Sequence, residues 1–144
     1  MSVQQISVFL ENKPGTLKKM TGVLAANGID MRATSVAETK DFGIARLIVE
    51  DVLSAVNVLK ENDFVASLTP VLAIEIPDEA GGLDKLLTIF ADADVNIEYM
   101  YAFPGGRHVD KACMIFRVAD TKAAEARLIG KGARLLTQEE ISKI

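Results

Sequence analysis

The sequence predicts an α+β fold built from two ferredoxin-like βαββαβ modules, each an antiparallel sheet with two helices on one face. Three observations predict it: an internal repeat, a change from alternating to helical apolar spacing at the same point in both copies, and a hairpin, helix and strand following in each. Shifted by 66 positions, Asn12–Met31 lies without a gap over Asp78–Ile97. Gly15 then falls on Gly81, Leu17 on Leu83, Lys19 on Lys85 and Ala25 on Ala91, and four further positions keep apolar character. A chain of 144 residues can hold two modules of about 70 residues when they share a core or an interface.

Each copy opens with a strand, Ile6–Leu10 or Val71–Ile76, in which apolar residues recur with the period of a sheet. Helical spacing follows. In the first copy Pro14 suits a first helical turn and Asn12 is the candidate cap. Leu17, Met20, Val23 and Leu24 fall on one face, and Asn27-Gly28 supplies a left-handed exit. The second copy repeats this with Leu83, Leu86, Leu87 and Phe90, and Asp94 replaces Gly28 as a residue that tolerates the left-handed conformation. Two β-hairpins come next, Asp30–Glu38 with Phe42–Glu50 and Asn96–Phe103 with Val109–Val118, then helices from Asp51 and Asp120 as N-caps. A last strand closes each copy, Val65–Thr69 or Ala133–Leu136. The total is eight strands and four main helices, with Gln138–Ile144 forming a terminal helical turn or fraying. Thr69-Pro70-Val71 leaves no flexible linker, so the modules are expected as 1–69 and 70–144, docked together.

Composition narrows the function. Hydrophobic residues are 49% and charged residues 25% of the chain, enough apolar material for a packed core. A net charge of -4 gives no electrostatic footprint for nucleic acid. No stretch approaches the roughly 18 apolar residues of a membrane span, and the N-terminus lacks the pattern of a secretion signal. A cytoplasmic protein is expected. Cys113 is the only cysteine, which rules out an intramolecular disulfide and a thiolate metal cluster within one chain.

Chemistry concentrates in Glu11-Asn12-Lys13-Pro14-Gly15-Thr16-Leu17, between a buried strand and a helix. A free amino acid, the ligand that the family resemblance of this loop implies, presents a carboxylate, an ammonium and a side chain. N–H groups at the helix start, around Gly15, Thr16 and Leu17, can hold the carboxylate, and Gly15 allows close approach. Asn12 can donate to the carboxylate or accept from the ammonium. Acceptor oxygens on Asp30 or Asn96 can also take the ammonium, and Met31, Ile97, Tyr99 or Met100 can meet the side chain. Leu10 and Pro14 complete the first set, while Asp78, Gly81, Gly82 and Leu83 form its counterpart. Asp78 would repel a carboxylate placed as in the first loop, or attract an ammonium if the ligand were reversed. Unequal occupancy is expected.

Asn-x-Pro-Gly-x-Leu after a strand, followed by Gly28-Ile29-Asp30-Met31, closely resembles the start of ACT domains, and the second copy resembles a diverged version. The first loop is most similar to the serine-binding loop of phosphoglycerate dehydrogenase regulatory domains. That resemblance implies an ACT-type pseudo-dimer built within one chain, allosteric amino-acid sensing without catalysis, and a ligand held at the junction of the two modules. It brings no cofactor and no metal. A homodimer, or docking as a regulatory subunit on a separate amino-acid-biosynthetic enzyme, stays open.

The remaining reactive residues read blandly. His108 beside Gly105-Gly106-Arg107 is an exposed titrating side chain in a hairpin loop. Cys113 lies in an apolar strand as a small buried hydrophobe, with no base nearby to make it a nucleophile. Tyr99 and Tyr101 share one sheet face. Glu75, Asp78 and Glu79 belong to a solvated region rather than a metal site. A small-molecule enzyme on the same scaffold is the third alternative, and it would need a convergent nucleophile and base that the sequence lacks.

Overall fold

The computed structural model describes residues 2–103 and 110–144. The readings of His108 and of the Gly105–Arg107 loop lie outside the described residues. Among those described, seven strands and five helices follow in the order β1 (Val3–Glu11), α1 (Thr16–Ala26), β2 (Met31–Glu38), β3 (Phe42–Val49), α2 (Val52–Glu61), β4 (Val65–Pro77), α3 (Gly82–Asp92), β5 (Tyr99–Phe103), β6 (Lys111–Arg117), α4 (Thr121–Gly130), β7 (Arg134–Leu136) and α5 (Gln138–Ser142). The expected eight strands become seven because Val65–Thr69 and Val71–Ile76 run on as the single 13-residue strand β4. Pro70 does not interrupt it, since a proline loses one N–H donor but keeps a φ compatible with extended chain. Its carbonyl accepts a hydrogen bond from Arg117 Nη1 at 2.8 Å. The terminal segment forms α5, capped by a reciprocal box in which Thr137 and Glu140 satisfy each other's backbone N–H, as such boxes do.

Two compact units divide the chain, Gln4–Thr69 and Pro70–Ile144, the second also taking the first residues through Val3. In the N-terminal unit β3 pairs antiparallel with both β1 and β2, and β4 flanks β1, where Ser7 Oγ and Thr69 Oγ1 lie 2.9 Å apart. In the C-terminal unit β6 pairs antiparallel with β5 and β4, and β7 with β4. Each unit is thus a βαββαβ module.

Both helices of each module cover one sheet face, as alternation shows. Ile6, Val8 and Leu10 of β1 and Ala45, Leu47 and Val49 of β3 pack with Met20, Leu24, Ala55 and Leu59 of α1 and α2. Leu72, Ile74 and Ile76 pack with Leu86, Phe90, Ala124 and Leu128 in the C-terminal unit, where the Phe90 and Phe116 rings stand 4.7 Å apart. Burial of each such leucine contributes about 1.5–3 kcal/mol. The helix ends follow the sequence signals. Asp51 and Asp120 accept N-cap bonds from Ser54 N and Ala123 N, and Gly28 and Asp94 are left-handed at φ 67° and 55°.

The duplication is recorded in the backbone hydrogen bonds. Thr16 N to Lys13 O recurs as Gly82 N to Glu79 O, and Ile29 N to Leu24 O as Val95 N to Phe90 O, each displaced by 66 residues. After the hairpins the displacement becomes 69, since Phe64 N to Leu59 O recurs as Ala133 N to Leu128 O. Three extra residues therefore lie between β5 and β6.

Candidate functional site

The β1–α1 loop is held by its own backbone and by the β2–β3 turn. Lys13 N donates to Glu11 O at 3.0 Å, Thr16 Oγ1 donates to Lys13 O at 3.0 Å, and Asn12 N donates to Asp41 O at 3.0 Å. Asn12 is not the helix cap expected from the sequence. Gly15 occupies that position, left-handed at φ 86° and without a side-chain cap bond, so α1 begins at Thr16 rather than near Pro14. The Asn12 amide instead reaches Glu38 Oε2 at 2.7 Å and Thr39 O at 3.2 Å. With its NH2 donors committed to the turn, Asn12 has Oδ1 as the atom to offer a ligand, an acceptor suited to an ammonium rather than a carboxylate.

Carboxylate donors come from the helix start. Leu17 N–H and Lys18 N–H lie in the first turn, where no intrahelical acceptor exists, and the helix dipole favours an anion there. A Cβ built at Gly15 meets nothing within 4 Å, so the space beside it is open. Beside the exposed Lys13, which lies 2.7 Å from its carboxylate, Glu11 titrates below the usual carboxylate range, chiefly through the hydrogen bond and then the charge of Lys13.

Two cavities flank the loop. One, of about 580 Å³, is bounded by Leu10, Pro14, Gly15 and Thr16 together with Phe9 and Phe42. The other, of about 290 Å³, is bounded by Asn12, Thr16, Leu17, Val36, Glu38 and Leu10. Leu17 corrects an expectation. It is 44% exposed, while Met20 and Leu24 carry the buried face of α1, because a residue in the first turn overhangs the cavity instead of lying on the sheet. Sequence reasoning missed Glu38, Phe9 and Phe42. Their signal was present, since the predicted hairpin puts Phe42 and Glu38 at its turn and the alternation of β1 turns Phe9 away from the core.

Asp30 and Met31 line neither cavity. Asp30 lies 3.4 Å from Arg32 Nη1, and Met31 is half-buried against the core of its unit. In the C-terminal unit Asp78 keeps the backbone bond, its N–H donating to Asp110 O at 2.8 Å, and Gly81 is left-handed at φ 84°. Gly82 is glycine for packing, since a Cβ there would overlap the Pro77 carbonyl oxygen. Leu83 and Ile97 are partly buried against their unit's core. Asn96 lines a separate cavity of about 250 Å³ with Asp94 and Arg127. Tyr99 and Tyr101 do share a face, with rings stacked at 6.5 Å and 16°.

Burial, and next the nearby Glu75 carboxylate, push the Cys113 thiol up to about 12, so it supplies no thiolate at neutral pH. Among the described residues no group of three or more His, Cys, Asp or Glu side chains is placed to hold a metal, and no helix is long and apolar enough to cross a membrane.

A duplicated βαββαβ module, with a left-handed glycine at the first strand-to-helix loop of each copy, defines a class of small α+β proteins. The chain belongs to the ACT domain pair family, whose model matches residues 1–144. It is similar over its whole length to a Bacteroides thetaiotaomicron protein of solved structure, with 37% identity, a TM-score of 0.91 and 98% of that chain covered. It also has the fold of the regulatory subunit of aspartate kinase from Thermus thermophilus, at 19% identity and TM-score 0.66 with 91% of each chain covered. The Thermus flavus counterpart gives 18% and 0.61, covering 90% of this chain and 92% of that one. No curated protein matches.

Proposed function

We propose that this ACT domain pair is a non-catalytic sensor that binds a free amino acid at the Asn12–Leu17 loop and through it regulates a separate protein. The observation that carries the reading is the loop itself. Left-handed Gly15 leaves open space at a helix start with no side-chain cap, where the Leu17 and Lys18 N–H groups have no intrahelical acceptor, and Asn12 Oδ1 is offered three residues earlier. Carboxylate donors and an ammonium acceptor thus stand a few bonds apart on one segment. The second loop keeps the backbone but carries Asp78, whose charge opposes a carboxylate in the same pose, so we place the ligand in the N-terminal unit. Titration calorimetry of the full chain against the twenty L-amino acids is the test. Saturable heat with one of them at submillimolar concentration is expected, and no heat or thermal shift with any at millimolar concentration would remove the reading.

Docking on a separate enzyme as its regulatory subunit is the form of regulation favoured by the Thermus thermophilus aspartate kinase regulatory subunit, which this chain matches over nearly all of both lengths. Affinity purification of the tagged chain should then recover one enzyme in fixed proportion. Recovery of the chain alone, with and without the bound amino acid, would exclude that form.

A further inference from the structure

The two units carry a cavity at the same place with partly diverged linings. In the N-terminal unit it has about 580 Å³ and opens beside Thr16, and in the C-terminal unit about 300 Å³ beside Gly82. Their equivalence follows from the hydrogen-bond displacements of 66 and 69 residues and from strand register, since Glu11 opposite Phe42 recurs as Pro77 opposite Lys111. Leu10 and Ile76 occupy matching positions in the two linings, and a lysine lines each cavity, Lys19 or Lys85. The rest has diverged. Phe9 corresponds to Glu75 and Phe42 to Lys111. Phe64 corresponds to Ala133 and Val65 to Arg134.

An aromatic cup in one unit is therefore a charged mouth in the other. Phe9 and Phe42 are 48% and 46% exposed, with ring centroids 5.0 Å apart, so apolar surface stands ready for a third ring. Lys19 Nζ lies 5.8 Å from the Phe64 centroid, whereas Lys85 Nζ lies 3.6 Å from the Glu79 carboxylate. Glu11 and Asp63 also line the N-terminal cavity, so both signs of charge border the aromatic surface, as a zwitterion with a ring requires. Its volume falls within the range of small-molecule sites.

We propose that the N-terminal cavity binds an aromatic amino acid, its ring against Phe9 and Phe42 and its carboxylate toward Lys19 and the start of α1, and that the C-terminal cavity excludes this ligand. The proposal rests on the sensor reading above and names the ligand class for it. The loop's resemblance to a serine-binding loop points instead to a small hydroxyl ligand, which would leave both rings in water.

Calorimetry of the full chain with L-phenylalanine and L-serine tests this, in wild type and in Phe42→Lys, which copies the C-terminal residue at an exposed position. L-Phenylalanine should bind wild type at least about tenfold more tightly than L-serine, and Phe42→Lys should cost at least about tenfold with circular dichroism unchanged. Equal L-phenylalanine affinity in Phe42→Lys overturns the proposal. Another amino acid binding more tightly, unaffected by Phe42→Lys, overturns the aromatic pocket but leaves the sensor reading standing, whereas no binding by any amino acid removes both. If no aromatic amino acid binds and Phe42→Lys converts a dimer to a monomer in sedimentation, the rings are a contact between copies and the proposal fails.

Discussion

Asn12 reaches across to the β2–β3 turn with both its backbone and its side chain, and Asp78 keeps the backbone half of that contact, to Asp110. The two loops share a left-handed glycine at the helix start and the same pattern of short-range hydrogen bonds. The space beside that glycine is open in both, since a Cβ at Gly15 or at Gly81 meets nothing within 4 Å. They differ at the next position, where Thr16 stands in the first loop and Gly82, wedged under the Pro77 carbonyl, in the second. Duplication preserved the backbone of the loop, and side-chain change altered the chemistry of one copy. A motif match therefore argues for a shape, and the neighbours of that shape argue for a ligand.

Core variants should break the comparison most sharply. Leu24→Ala should destabilise by about 2–5 kcal/mol, as for a fully buried leucine, while Leu17→Ala should cost less than about 1 kcal/mol because the side chain is half-exposed. Chemical denaturation checks both, and a larger loss at Leu17 would contradict its placement over a cavity. Next come the glycines. Gly82→Ala should cost about 1–3 kcal/mol by forcing a Cβ against backbone. Gly15→Ala should cost about 1–2 kcal/mol through the left-handed φ alone, and a branched residue at Gly15 would add strain, so alanine is the substitution to use in binding work.

A smaller effect is expected at Asn12. Asn12→Asp places a carboxylate against Glu38, and for an exposed pair the repulsion is about 1 kcal/mol. Stability should return in Asn12→Asp combined with Glu38→Gln. Thermal unfolding of the two variants is the check, and equal midpoints would show that the Asn12–Glu38 bond does not order the turn. Cys113 gives the smallest effect at neutral pH. Its folded pKa is raised, so the stability this group contributes is complete below its ordinary value and is lost as pH rises toward about 12. Iodoacetamide at pH 8 should label Cys113 only after denaturation, and rapid labelling of the native chain would contradict its burial.

Much of the fold was legible because each signal had a local cause. The change of apolar period marked the strand-to-helix loops, and Asp51, Asp120, Gly28 and Asp94 marked helix ends through side-chain capping and positive φ. What stayed hidden depended on distance. Pro70 reads locally as a break, yet it sits inside β4. Leu17 lies on the apolar side of the helical wheel, but a wheel does not record where the sheet beneath it ends. Asn12 was legible as a polar residue before a helix, and its choice of Glu38 over the helix N–H groups depends on a turn 26 residues away. Phe9 and Phe42 each read as ordinary outward residues, since only the β1–β3 register brings them beside the loop.

The central claim, that the N-terminal loop binds an amino acid and its C-terminal counterpart does not, is tested most directly by the stoichiometry of binding. Calorimetric titration of the full chain with its tightest amino acid should give one ligand per chain, with affinity reduced in Gly15→Ala and unchanged in Gly81→Ala. Two equal ligands per chain, or a loss confined to Gly81→Ala, would contradict the account.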